Sequence, residues 1–160
     1  MSIGATFASR SLEENWLPIL ELAVEEVFEI MLGCRVTPSA ESELKPKGDF
    51  TAMIGLAGAL SGILTLCVDA KAASLAAKAM LGDTATSEAE VADALGEICN
   101  MVAGNFKNKL AGTDEQCMLS VPSVISGGEY SFHSLADGKA VETVLMFEGE
   151  PVAVRLQLQS

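Results

Sequence analysis

The sequence predicts an α+β fold: three helices packed on one face of an antiparallel, or in part mixed, sheet of about six strands. Three observations carry this. Apolar residues recur with helical period in three segments, and with a period of two in the last twenty residues and around a glycine-punctuated stretch after Asp49. The strand-like segments are grouped instead of alternating one for one with helices, which favours antiparallel pairing over parallel crossovers. Helix followed by strands occurs twice, a weak internal two-fold repeat. A chain of 160 residues, 49% hydrophobic and 20% charged, suits one domain spanning residues 1–160.

The first helix is expected from Asn15 as N-cap, with Pro18 tolerated in its first turn and Gly33 past its end. Its apolar residues are Leu17, Leu20, Val24, Val27, Phe28 and Met31, opposite an acidic stripe of Glu21, Glu25 and Glu29 that reads as solvated surface. A strand around Arg35-Val36-Thr37 and a loop to Gly48 follow. The uncharged run Phe50–Val68 has the length of a membrane span and contains Gly58-x-x-x-Gly62. Gly55, Gly58 and Gly62 interrupt it, however, and Ile63–Val68 has the look of a buried strand, so a β-hairpin is the better reading.

Asp69 then caps an alanine-rich helix that stops at Gly82. Ser87 and Glu90 form a capping box for a third helix running to about Leu110. Candidate strands follow at Cys117–Val121 and Tyr130–Leu135, with turns at Ser126-Gly127-Gly128 and Asp137-Gly138. The last hairpin puts Val141, Thr143, Leu145 and Phe147 on one face. Its second strand carries Val152, Val154, Leu156 and Leu158 against Arg155, Gln157 and Gln159, with Glu148-Gly149-Glu150 at the turn.

Ten Lys and Arg against 22 Asp and Glu leave a net charge of −12, which repels phosphate backbones and anionic headgroups and argues against nucleic acid or membrane partners. Cys34, Cys67, Cys99 and Cys117 lie in apolar stretches with no C-x-x-C pair, so they read as reduced thiols and not as zinc ligands or disulfides. Residues 1–14 lack the apolar run of a secretory signal, and a cytoplasmic location is expected.

Wound at ~100° per residue, the third helix buries Val91, Leu95, Ile98, Val102, Phe106 and Leu110. Its outer side presents Asp93, Glu97, Asn100 and Gly104, with Glu97 and Asn100 one turn apart. Gly96 and Gly104 each cost ~1 kcal/mol against alanine in a helix, a sign that something bulky approaches the backbone or that the helix packs closely there. On residue type alone, a Glu/Asn pair at this spacing is ordinary solvated surface.

The wider string Ala94-Leu95-Gly96-Glu97-Ile98-Cys99-Asn100-Met101-Val102-Ala103-Gly104-Asn105 resembles the E-x-x-N signature of the CheC/CheX/FliY family of chemotaxis phosphatases, CheX most of all. The likeness extends over most of the chain, including Ile54-Gly55-Leu56, Gly62, Met80-Leu81 and Pro122–Gly127. Two-site members repeat E-x-x-N on the first helix. Here Glu21, Glu25, Glu26 and Glu29 are followed three residues on by Val24, Phe28, Glu29 and Leu32, so one site is implied.

The resemblance implies a protein phosphatase that removes the phosphoryl group from the aspartate of a CheY-like response regulator by inserting this helix into the regulator's active site. Glu97 and Asn100 are the implied catalytic residues, and Asp93, Met101 and Gly104 the implied partner contacts. No cofactor or metal of its own is implied, since Mg²⁺ would be carried by the regulator. CheX-like proteins are often homodimers joined through their sheets, and the alternating C-terminal strands offer an edge for this. The alternative is a non-catalytic docking module for a receiver domain.

The chemistry of the two side chains agrees. An acyl phosphate has a good leaving group, so the remaining task is to hold a water in line with phosphorus. The Asn100 amide donates and accepts without becoming charged, and Glu97 suits a lysine partner that fixes register better than it suits base catalysis. Cys99, between them in sequence, falls beside the packed face and reads as core. His133 has no serine motif to serve, Ser126-Gly127-Gly128 lacks the lysine of a phosphate loop, and Asn105 suits a structural hydrogen bond.

Overall fold

The computed structural model describes residues 2–39, 45–58, 61–84, 87–110, 117–127 and 138–159, with side chains from Trp16 onward except at 138, 139 and 159. The element order is α1 (Ser2–Leu32), β1 (Thr37–Pro38), β2 (Phe50–Gly58), β3 (Gly62–Val68), α2 (Ala70–Leu81), α3 (Glu88–Lys109), β4 (Cys117–Leu119), β5 (Ser123–Ser126), β6 (Gly138–Phe147) and β7 (Glu150–Gln159). All pairings are antiparallel, in the order β1-β6-β7-β3-β2-β4, with β5 also on β2. The sheet thus has seven strands where about six were expected, and no parallel pair among the described residues.

This order is a palindrome. Exchanging α1-β1-β2-β3 with α3-β4-β6-β7 maps β1 onto β4, β6 onto β2 and β7 onto β3, so the expected two-fold repeat is real and its axis passes between β3 and β7. Gly62 sits on that seam. A Cβ there would collide with the Gln157 carbonyl oxygen and lie 2.9 Å from Leu158 Cα, so only glycine lets the two halves close at this point.

The core lies between one sheet face and the helices. Ala52, Ile54 and Leu56 of β2, Leu64, Leu66 and Val68 of β3, Leu145 and Phe147 of β6, and Val152, Val154, Leu156 and Leu158 of β7 are buried on it, as their period of two requires. Phe28 of α1 meets Phe147 edge-on with centroids 5.1 Å apart. Ala72, Ala73, Ala76 and Ala77 let α2 fit closely against α1 and α3. On the opposite face, Lys45 reaches Glu142 at 2.6 Å and Gly48 lies against Cys67, so residues 45–48 cross behind the sheet.

Several expectations are corrected. Asn15 does not start α1, which is already helical from Ser2 and places Pro18 in its interior. Good helix formers such as Ala5, Ala8, Arg10, Leu12 and Glu13 extend the helix upstream. The exposed Pro18 is offset by the burial of Leu20, Ala23, Val24, Val27 and Phe28 downstream. The strand expected at Arg35–Thr37 pairs only through Thr37 and Pro38. The one expected at Cys117–Val121 breaks after Leu119 and resumes as β5.

Asp69 precedes α2, but its side chain does not cap it: Oδ1 accepts the Lys47 and Gly48 N–H groups at 2.7 and 3.0 Å. Asp49 Oδ2 accepts the Ala70 N–H at 2.8 Å instead. The turn Glu148-Gly149 has φ of 51° and 79°, as a tight hairpin needs. β7 is internal, so the outer edge at the C-terminal hairpin belongs to β6, which among the described residues β1 pairs at Met146 and Leu145 and the Ser39 N–H reaches at the Val144 carbonyl, 2.7 Å away. The strand expected at Tyr130–Leu135 lies outside the described residues. No helix among those described is long and apolar enough to cross a membrane, and Phe50–Val68 is the β2–β3 hairpin.

Candidate functional site

The site is built on α3, which is fixed at both ends and along one side. The Glu90 N–H donates to Ser87 Oγ at 3.1 Å and the Ser87 N–H to Glu90 Oε1 at 3.3 Å, the reciprocal capping box the sequence predicts. Glu88 and Glu90 in the first turn, and Lys107 and Lys109 in the last, complement the helix dipole. Val91, Leu95, Ile98, Val102, Phe106 and Leu110 are all buried, as their spacing predicts. The helix is therefore a rigid platform, not a mobile loop.

Its outer side holds the predicted residues together. Glu97 and Asp93 are exposed, and Asn100, Met101 and Gly104 half-buried, Met101 packing against the edge of the core. One turn apart, Glu97 and Asn100 have no hydrogen-bond or ion-pair partner among the described residues, so both polar heads are available to another molecule. At the two helix glycines the nearest neighbours belong to the chain itself: a Cβ on Gly96 would make ordinary contact with Val124 and Pro122 at 3.5 and 3.7 Å, and one on Gly104 with Leu119 at 4.0 Å. It is the chain's own β4–β5 segment that comes close to the helix backbone.

Cys99 is fully buried, its Sγ 3.9 Å from the Leu64 carbonyl oxygen, and burial pushes its thiol up to about 12. It cannot supply a thiolate near neutral pH and is core, as expected. Asn105 Nδ2 donates to the Ala23 carbonyl at 3.2 Å and to Glu26 Oε2 at 3.0 Å, tying α3 to α1. Lys109 Nζ reaches Glu26 Oε1 at 2.9 Å. The Lys109 and Asn105 hydrogen bonds hold the Glu26 carboxyl below its ordinary value.

On α1, Glu21 and Glu26 are spent internally. Thr143 Oγ1, in a nearly buried residue, donates to Glu21 Oε2 at 3.1 Å, and Glu26 is engaged by α3. Among the described residues no group of three or more His, Cys, Asp or Glu could hold a metal ion. His133 lies outside the described residues. Sequence reasoning missed the rim of the site: Leu119 and Pro122 lie along α3, and Val121 between them is 86% exposed. The only signal for it was the Pro122–Gly127 segment, quoted for the family likeness and not for its position.

The model of the family described as chemotaxis phosphatase CheX matches residues 50–145, more than half of the chain. The chain belongs to the CheX family. Comparison with curated proteins returns no match. Among solved structures, CheX from Vibrio vulnificus is 24% identical with a TM-score of 0.76, over 90% of this chain and 96% of that one. CheX from Desulfovibrio desulfuricans is 23% identical with a TM-score of 0.78, over 91% and 99%. A CheX–CheY–BeF3–Mg²⁺ complex from Borrelia burgdorferi contains a chain 22% identical with a TM-score of 0.72, over 91% and 98%. These likenesses establish a shared CheX fold over nearly the whole chain. The signature helix α3 lies inside the matched family region.

Proposed function

We propose that this CheX-family chain, acting as a single cytoplasmic domain, hydrolyses the aspartyl phosphate of a CheY-like response regulator, with Glu97 and Asn100 as its catalytic pair. The observation that carries this is a Glu/Asn pair, without partners among the described residues, on the outer side of a rigid, capped helix in a member of a family named for chemotaxis phosphatases. A relative crystallised with CheY, beryllofluoride and Mg²⁺ supports a receiver domain as the partner and the receiver as the bearer of the metal.

In this reading α3 enters the receiver's active site with Asp93, Met101 and Gly104 against its rim. The Asn100 amide accepts a hydrogen bond from the attacking water and orients it in line with phosphorus. Water oxygen bonds to phosphorus, the bond from phosphorus to the aspartyl oxygen breaks, and inorganic phosphate leaves a free carboxylate on the receiver. Glu97 pairs with a cationic side chain of the receiver and holds the register. Positioning of this kind is worth on the order of 10²–10³ in rate.

The test is phosphate release from a phosphorylated CheY-like receiver with Mg²⁺. Asn100→Ala is expected to lose the acceleration while still binding the beryllofluoride-loaded receiver, and Glu97→Ala to lose binding as well. Binding without any acceleration by the wild type would replace the phosphatase with a docking module. We further propose a homodimer joined through sheet edges, the outer edge of β6 being the available one; a strict monomer at micromolar concentration contradicts it.

A further inference from the structure

The edge segment beside α3 is shaped in a way the phosphatase pair does not require. β4 and β5 both pair with β2, yet between them the chain leaves the ladder at Ser120–Pro122. Ser120 fixes the bend with three hydrogen bonds. Its N–H donates to the Gly55 carbonyl at 2.9 Å, its Oγ accepts the Gly55 N–H at 2.8 Å, and its hydroxyl donates to the Val121 carbonyl at 3.1 Å. Pro122 follows and restricts Val121 to extended backbone. Val121 is thereby held on a stiff bend with its side chain 86% exposed, the most exposed large apolar residue among those described.

Its place is set by its neighbours. Leu119 lies against Gly104 and Pro122 against Gly96, so the bend runs beside the two turns of α3 that carry Glu97, Asn100 and Met101. The rim therefore flanks the helix surface to which the receiver domain is proposed to dock. An added β-strand is a poor occupant here, because Pro122 offers no N–H and interrupts the edge. A pre-ordered apolar side chain costs little entropy to bury, which is the property of a docking contact.

We propose that Val121 is an apolar docking contact for the receiver domain and sets how tightly the phosphorylated regulator binds, without taking part in the chemistry. This rests on the phosphatase reading above. Steady-state phosphate release is measured against receiver concentration for the wild type, Val121→Ala, Val121→Asp and Val121→Lys, with melting curves as a folding control. Asp and Lys are both expected to raise KM by about fivefold or more, Ala by less, with kcat within about twofold of wild type.

An unchanged KM in all three overturns the proposal. So does a rise with one charge and a fall with the other, which would mark a long-range field instead of a contact, or a change in subunit mass, which would assign Val121 to a contact between copies. Absence of wild-type turnover is failure of the phosphatase reading, not of this one. In that case the dissociation constant for the beryllofluoride-loaded receiver must show the same fivefold weakening, and an unchanged constant or no binding by the wild type overturns the contact.

Discussion

The two helices exchanged by the palindromic sheet, α1 and α3, bury the same kind of apolar face but use their polar residues in opposite ways. On α1, Glu21 accepts from Thr143 on β6, and Glu26 is held by Asn105 and Lys109 of its counterpart. On α3, Asn105 and Lys109 are committed to that tie, yet Glu97 and Asn100, earlier on the same helix, have no hydrogen-bond or ion-pair partner among the described residues. A duplicated scaffold can thus let one copy stabilise the platform while the other faces a partner. In the proposed reading Glu97 and Asn100 serve the partner, whereas the engaged Glu21 and Glu26 serve the structure.

The comparison can be broken at its seam. Gly62→Val puts side-chain atoms into the β7 backbone at the centre of the palindrome, and a loss of about 3 kcal/mol or more, or no folded protein, is expected in denaturant unfolding. Wild-type stability in that variant would mean that the halves are not locked there. Asn105→Ala removes two hydrogen bonds between the helices. It should cost about 1–2 kcal/mol of stability and leave turnover at saturating receiver intact, which separates it from Asn100→Ala.

The smallest effect is in the pH dependence. Glu26 holds its proton less tightly in the folded state than its ordinary value of 4.5, so its contribution is fully present above that value and is lost as pH falls through the lower, folded one. Wild type should melt above Glu26→Gln at pH 7, with the gap closing under more acidic conditions. A gap that persists to pH 2 would place the effect in packing instead of charge. The side chain is partly exposed, so the difference should also shrink with added salt.

Local rules read α2 and α3 well because their signals are local: the capping box at Ser87, and Gly82 past α2 with φ of 101°. They read the buried face of α3, and the placement of Cys99 and Asn105, for the same reason. Where they failed, distant residues decided. Asp69 looks like a cap, but Lys47 and Gly48 take its carboxylate. Asn15 looks like a helix start because Pro18 follows, but packing further along outweighs the proline. The break after Leu119 depends on Gly55, far away in sequence, and with it the rim at Val121. The pair Glu97 and Asn100 was legible as a helix face and a signature; that both lack partners among the described residues was not.

The most direct test of the division between the helices is the rate of phosphate loss from a phosphorylated CheY-like receiver with stoichiometric wild type, Asn100→Ala on α3, or Glu25→Ala with Glu29→Ala on α1. The expected result is acceleration by the wild type, equal acceleration by the α1 variant, and a return to the receiver's own rate, on the order of 10²–10³ slower, with Asn100→Ala. Full activity in Asn100→Ala, or activity that disappears with the α1 substitutions in a folded protein, would contradict the account.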